Sequence, residues 1–227
     1  MSADEIITEM RSMANPRNVQ GMARFGISSK NTLGLSIPYL RRKAKELGRS
    51  HQLAQDLWRS GIHEARILAA FVDDPAKVTE AQMEEWASGF ESWDVCDQCC
   101  GSLFDKTEFA YQKAVEWSRR DEEFVKRAGF VLMAELAVHD KGAPDSRFVR
   151  VLPLIDEGSS DPRNFVKKAV NWALRQIGKR SVELSREALK AAKRISKRDL
   201  PSAKWVASDA IRELESEQVQ RKVRSSS

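Results

Sequence analysis

The chain has 227 residues, of which 41% are hydrophobic and 31% are charged, and its formal net charge is +5. This is the composition of a soluble, folded protein and excludes a disordered chain. No apolar run approaches the roughly 20 residues that cross a bilayer. The first residues, MSADEIITEMRSMANP, lack the basic and apolar regions of a secretory signal. We therefore expect no membrane partner and a cytoplasmic location.

The charge is distributed unevenly along the chain. Residues 1–113 carry 14 basic and 16 acidic side chains, whereas residues 114–227 carry 24 and 17, a net of +7. Residues 162–212 alone carry 14 basic and 4 acidic side chains. A basic surface of this kind suits a phosphate backbone. The alternative is an ordinary solvated helix surface, and charge alone does not decide between the two.

Helical signals follow one another along the whole chain. Apolar residues recur at three- and four-residue steps from Phe124 to Leu136, and about a dozen such segments are joined by short loops. Proline marks predicted helix starts at Pro38, Pro75, Pro162 and Pro201. Glycine marks predicted helix ends at Gly48, Gly61, Gly89 and Gly178.

The helices recur in pairs at spacings of roughly 35–45 residues, the period of HEAT-type repeats. We therefore predict an all-α protein, a HEAT-like helical repeat solenoid (an α-α superhelix), with a compact helical bundle as the alternative. No internal linker stands out, so residues 1–219 are predicted to form a single domain. Residues 220–227 are predicted to be a frayed tail.

The first segment whose side chains could take part in a reaction is SWDVCD, residues 92–97. On a helix, Trp93 and Asp97 are four residues apart and share one face. An aromatic ring beside a carboxylate could wall off a sugar and stabilise positive charge on it. The structural alternative is a core tryptophan with an aspartate near a helix start, and the spacing alone favours that alternative.

Three cysteines lie in the same segment, at Cys96, Cys99 and Cys100. An odd number this close together argues against a disulfide framework and favours a reducing compartment. A zinc site would need a second pair of ligands, and the three histidines, His51, His63 and His139, are isolated in sequence. We expect buried packing, with no metal and no cofactor.

The second segment is NFVKKAVNWALRQIGKR, residues 164–180. Helical spacing places Lys168, Trp172, Arg175 and Lys179 on one stripe, here called the basic stripe, with Lys167 beside it. Cations with an intervening aromatic plane are suited to tracking a nucleic-acid backbone. In the structural alternative Trp172 lies in the core and the cations face water. A third and weaker signal is Arg127, whose guanidinium could grip a phosphate.

These segments, in this order, resemble the AlkD-like alkylpurine DNA glycosylases, which have HEAT-like repeats and excise positively charged N3- and N7-alkylated purines. The resemblance covers most of the chain and is strongest in SWDVCD and NFVKKAVNWALRQIGKR. Its weaker parts are GMARF at 21–25, SIPYLRR at 36–42, Leu57-Trp58 and AKWVASDA at 203–210.

The resemblance implies roles for individual residues. Asp97 matches the catalytic carboxylate, Trp93 and Trp172 match two aromatic residues at the lesion, and Arg127 matches an arginine on the DNA backbone. Phe25 stands where the best-known type has a tyrosine, so an aromatic wall remains but a hydroxyl is lost. The family also implies a basic concave face and excision without drawing the lesion into a deep base pocket, in contrast to base-flipping enzymes.

The leading hypothesis is therefore a monofunctional glycosylase that acts as a monomer on double-stranded DNA containing alkylated purines. The first alternative is a non-catalytic binder of DNA structures on the same scaffold, since some relatives lack activity. The second alternative is a protein-interaction scaffold, a common use of HEAT arrays.

Overall fold

The computed structural model describes residues 1–225, and in this range every regular element is a helix. The α-helices are α1 (Ala3–Ser12), α2 (Pro16–Ala23), α3 (Ile37–Leu47), α4 (His51–Arg59), α5 (His63–Val72), α6 (Glu80–Ser88), α7 (Trp93–Ser102), α8 (Ala110–Trp117), α9 (Glu123–His139), α10 (Asp145–Val149), α11 (Leu152–Gly158), α12 (Asn164–Gly178), α13 (Val182–Ile195), α14 (Pro201–Leu214) and α15 (Glu217–Ser225). Two short 3-10 helices span Pro75–Lys77 and Phe104–Lys106. The predicted all-α fold is confirmed. None of the described helices is both long and apolar enough to cross a membrane.

Side-chain caps fix several helix starts. The hydroxyls of Ser36, Ser50 and Ser181 accept hydrogen bonds from backbone N–H groups in the first turns of α3, α4 and α13. Pro38 and Pro201 lie in the first turns of α3 and α14, as predicted. Local sequence chemistry therefore sets most of these boundaries.

The chain forms two compact units, residues 1–107 and residues 108 onward. In the first unit α5 packs against α3, α4 and α7. Its core includes a parallel stack of Trp58 on Trp86, with ring centroids 4.2 Å apart. The packing of α5 against α7 holds Trp93 and Asp97 against the helices of this unit.

One buried carboxylate shapes the loop between α2 and α3. Glu64, on α5, is fully buried and accepts hydrogen bonds from the backbone N–H groups of Leu33, Gly34 and Leu35 at 2.6–3.2 Å. Gly34 has a φ of +77°, and an added Cβ there would collide with the Asn15 carbonyl oxygen. Glu64 therefore fixes residues 33–35 to α5, and a backbone hydrogen bond from His63 to Asn31 ties the same loop to this helix.

In the second unit α9 and α12 form the centre. α9 packs against α8 and α12, and α12 also packs against α11, α13 and α14. α9 is buried over most of its length. This arrangement leaves α12 with neighbours on several sides.

Six contacts between helices of this unit share a sequence offset of 38 residues. Residues 38 apart touch at Arg127–Phe165, Asp156–Arg194, Ser160–Arg198, Lys167–Trp205, Asn171–Asp209 and Arg175–Glu213. A fixed offset over two helix layers means that one helical unit is stacked on the next in the same register. This offset lies within the predicted repeat spacing and is the arrangement of a helical repeat.

The end of the chain is helical as far as the structure describes it. α15 runs to Ser225, and the Val223 side chain is buried. The predicted frayed tail covers most of this helix. Its last two residues, 226 and 227, lie outside the described residues.

Candidate nucleic-acid interface

The first candidate region lies at the start of α7. Trp93 is the first residue of this helix, Asp97 is one turn further on, and both side chains are partly exposed. The Trp93 indole Nε1–H donates a hydrogen bond to the backbone carbonyl oxygen of Phe25 at 3.1 Å. The Phe25 ring is 68% exposed. The structure thus brings Phe25 and Trp93 together, and it does so through the Phe25 backbone, which any residue at this position would supply.

A cavity of about 450 Å³ lies beside Trp93 in the first unit. Its apolar wall includes Met22, Ile27, Leu35 and Ile67 in addition to Phe25 and Trp93. Polar groups along it include Asn18, Gln98 and Asp94. A mainly apolar cleft with a few polar groups is a typical small-ligand site. Asp97 does not line this cavity, whereas its neighbour Asp94 does.

Asp94 forms a close pair with His63. The Asp94 Oδ2 atom is 2.8 Å from His63 Nε2, and both side chains are largely buried. Burial opposes ionisation of Asp94, but the hydrogen bond and charge of His63 outweigh it and lower the Asp94 pKa. The pair joins the first turns of α5 and α7. Sequence reasoning missed it, because the partners are 31 residues apart and no local pattern links them.

The three cysteines of α7 form no disulfide with one another and are fully buried. Burial raises the pKa of the Cys99 and Cys100 thiols well above the ordinary value. Thiols in this state are poor nucleophiles. Within residues 1–225 no cluster of three His, Cys, Asp or Glu side chains has the geometry to hold a metal ion.

The second candidate region is α12, where the basic stripe divides into two parts. Lys168 is exposed and Trp172 is partly exposed. Arg175 and Lys179 instead turn towards α14, where both bind Glu213, with the Lys179 Nζ to Glu213 Oε1 distance at 2.7 Å. Arg175 Nη1 also lies 3.7 Å from the Asp209 carboxylate. The stripe is thus a row of two outward residues followed by two ion-paired cations.

Lys167 and Trp205 form a further aromatic contact. The Lys167 ammonium lies 4.8 Å from the centre of the Trp205 ring, and Trp205 is 39% exposed. Asn171, one turn after Lys167, donates a hydrogen bond to Asp209 at 2.6 Å. This hydrogen bond joins α12 to α14 next to Trp172.

Arg127 is in a different environment from the other predicted contacts. It is only 5% exposed, and its Nη1–H group donates a hydrogen bond to the backbone carbonyl oxygen of Phe165 at 2.6 Å. In this structure the guanidinium links α9 to the first turn of α12. Its contact with a DNA backbone stays a prediction.

Comparison with known proteins identifies the family of this chain. A family model described as DNA alkylation repair enzyme matches residues 6–214. A match over nearly the whole length shows that the chain belongs to the DNA alkylation repair enzyme family.

The individual relatives have low sequence identity to this chain. Two uncharacterized proteins, one from Listeria innocua and one from Listeria monocytogenes, are each 25% identical over 198 residues, covering 86% of both chains. A solved structure described as a new family of proteins related to the HEAT-like repeat DNA glycosylases, with affinity for branched DNA structures, superposes with a TM-score of 0.78 at 19% identity. The superposition covers 94% of this chain and 95% of the chain in that structure. This likeness confirms the HEAT-like fold.

Proposed function

We propose that the protein is a monofunctional DNA glycosylase that hydrolyses the N-glycosidic bond of positively charged N3- and N7-alkylated purines. The observation that carries this proposal is the pairing of Trp93 and Asp97 on the partly exposed side of α7. The Trp93 ring is held by the Phe25 carbonyl, so it is oriented before any substrate arrives. Preorganisation of this kind is what a charge-stabilising site requires.

The chemistry assigned to Asp97 is electrostatic. An alkylated purine carries its own positive charge and leaves readily, which moves positive charge onto the deoxyribose. The Asp97 carboxylate stabilises this charge and positions a water molecule for attack on the sugar, while Trp93 forms an apolar wall. Water is the nucleophile, because no lysine at this site is suited to forming a Schiff base.

We assign the contacts with the DNA backbone to residues of the second unit. Lys168 and Trp172 are accessible on α12 and can approach a phosphate and a sugar. Lys167 can contribute together with Trp205, and Arg175 and Lys179 can contribute where they exchange Glu213 for a phosphate. Phe25 and Arg127 complete the set that the resemblance implies. We further propose that the protein acts as a monomer in the cytoplasm. The three buried cysteines, which form no disulfide with one another, support a reducing compartment.

The decisive measurement is release of 7-methylguanine and 3-methyladenine from methylated DNA. We expect the wild type to release at least one of them, and Asp97→Asn to be slower by about 100-fold or more, since loss of one charge-stabilising group costs this much. Asp56→Asn, on an exposed turn of α4, is the matched control and should be unaffected. If the wild type releases neither base, the glycosylase proposal fails for these substrates. If Asp97→Asn retains full activity, the role of Asp97 is wrong.

A second candidate is a non-catalytic protein that binds branched DNA. It is favoured by the structural relative, which is described as having affinity for branched DNA, and by the pairing of Arg175 and Lys179 with Glu213. It predicts tighter binding to a four-way junction than to a duplex of equal length, with no base release. Junction preference together with the absence of base release would favour this candidate over the first.

A further inference from the structure

Two carboxylates on α14 face the cations of α12. Glu213 binds both Arg175 and Lys179, and Asp209 lies 3.7 Å from Arg175 Nη1. The side chains involved are between 19% and 28% exposed. They are therefore accessible to a ligand but partly shielded from solvent, so these ion pairs are screened less than pairs on an open surface.

The pairing extends along the whole contact between the two helices. Lys167, Asn171 and Arg175 follow one another at four-residue steps on α12 and meet Trp205, Asp209 and Glu213, which follow the same steps on α14. Hydrogen bonds from Lys179 and Arg175 outweigh the cost of burial and lower the pKa of Glu213, so it is ionised at neutral pH. The negative charge of Glu213 is therefore present at neutral pH, and the register of the helices places it against Arg175 and Lys179.

We propose that Glu213 and Asp209 are specificity-determining residues that mask Arg175 and Lys179 from DNA. This inference rests on the proposed DNA binding. On a regular duplex, a phosphate near α12 must displace Glu213 to reach either cation, and the gain of one ion pair is offset by the loss of another. Lys167, Lys168 and Trp172 then bind without competition from this pair of carboxylates.

The masking favours DNA in which phosphates from more than one duplex segment approach the same surface. The electrostatic potential there is more negative than beside a single straight duplex. Because this potential repels a carboxylate, Glu213 is displaced from its cations more easily. A bent or branched DNA therefore recovers contacts that a straight duplex does not. The two carboxylates act as a filter against ordinary duplex DNA, which is the overwhelming competitor for any such protein.

The test compares Glu213→Gln with Glu215→Gln. Both remove one negative charge from the end of α14, but Glu215 is 49% exposed and pairs with Lys193 at 3.2 Å, away from the masked cations. We would measure the Kd of each variant for an unmodified duplex and for a four-way junction over a range of salt concentrations.

For Glu213→Gln we expect duplex binding to tighten by about fivefold or more and the junction preference to fall. The slope of log K against log salt should steepen by about 1 to 2, because one or two further phosphates become neutralised. Glu215→Gln should change duplex affinity by less than about twofold. Adding Arg175→Gln to Glu213→Gln should remove most of the gain.

Equal effects of the two variants would mean that only net charge matters and would overturn the masking. If circular dichroism shows that Glu213→Gln does not fold, Asp209→Asn serves as the second variant. It removes the other charge facing Arg175 and keeps the shape of the side chain. If Asp209→Asn does not bind the duplex more tightly, the proposal is overturned. A wild type that binds neither DNA would refute the proposed DNA binding itself. A wild type that binds DNA while the Glu213 variant behaves as its control would refute the masking alone.

Discussion

Two aspartates on the first turns of α7 have different surroundings. Asp94 is largely buried, pairs with His63 at 2.8 Å and connects α7 to α5. Asp97 is partly exposed, does not line the cavity beside Trp93, and shares a side of the helix with Trp93. We therefore assign Asp94 a structural role, joining α7 to α5, and Asp97 the role of stabilising charge on the sugar.

Asp94→Asn should therefore destabilise the protein. Removing the charge weakens a largely buried pair, and we expect a loss of about 1–3 kcal/mol in the free energy of unfolding, measured by urea denaturation at pH 7. Asp56→Asn is again the control, and should change stability by less than about 0.5 kcal/mol.

The effect should also depend on pH in a defined direction. Because the pKa of Asp94 is lowered in the folded state, its contribution is fully present above the ordinary aspartate pKa of about 3.9 and is lost as the pH falls through the lower folded value. The difference between wild type and Asp94→Asn should therefore shrink below about pH 4. A constant difference down to pH 2 would contradict this account.

At this scale the sequence predicts contacts along one helix better than contacts between helices. The shared side of Trp93 and Asp97 follows from helical spacing. The His63–Asp94 pair and the burial of Arg127 do not, because each depends on a partner at least 31 residues away. Arg127 was expected at a surface, yet its charged group lies under the first turn of α12.

At the scale of helices, the crossing of α8 and α9 depends on a glycine. Gly129 lies within α9, and a Cβ at this position would be 2.8 Å from the Trp117 carbonyl carbon and closer still to the Ser118 backbone nitrogen. Backbone atoms cannot move aside as the end of a flexible side chain can. The crossing of α8 and α9 therefore requires glycine.

Gly129→Ala should destabilise the protein by about 2–3 kcal/mol, because overpacking forces the two helices apart. Gly21→Ala, in α2, is the matched control, since no atom lies within 4 Å of the added Cβ. The control should be stabilised by about 0.5–1 kcal/mol through the higher helix propensity of alanine. Thermal denaturation of the two variants distinguishes close packing from propensity, and a stabilised Gly129→Ala would contradict the crossing.

Helix starts were predictable because proline and serine act locally, as at Pro38 and Pro201. The division of the basic stripe was not. Periodicity showed that Lys168, Trp172 and Arg175 are neighbours on α12, but it contains no information on which of them α14 covers. Arg175 is engaged by Glu213 while Lys168 is exposed, and this difference arises only from packing.

At the scale of the whole chain, the uneven charge predicts where salt dependence originates. Lys168→Gln, in the basic second half, should reduce the slope of log K against log salt by about 1, because one phosphate contact is lost. Lys45→Gln makes the same change on an exposed position of α3, in the acidic first half, and should leave the slope unchanged. Equal effects of the two variants would show that binding follows net charge and not the α12 surface.

The fold class and approximate repeat spacing could be predicted from helix count, short loops and the absence of strand patterns. The register could not, because the repeats share too little sequence to be aligned with one another. It became visible only in contacts such as Asn171 with Asp209 and Ser160 with Arg198, which show the same offset in different helix layers.

The offset of 38 residues shared by these contacts depends on the number of residues in each helix. Each residue of an α-helix turns the chain by about 100°. One residue inserted within α12 would therefore rotate everything after it and bring Arg175 away from Glu213, whereas the same residue in a loop would leave the helical faces matched. For this half of the molecule, the lengths of the helices are under tighter geometric constraint than most of the side chains they carry.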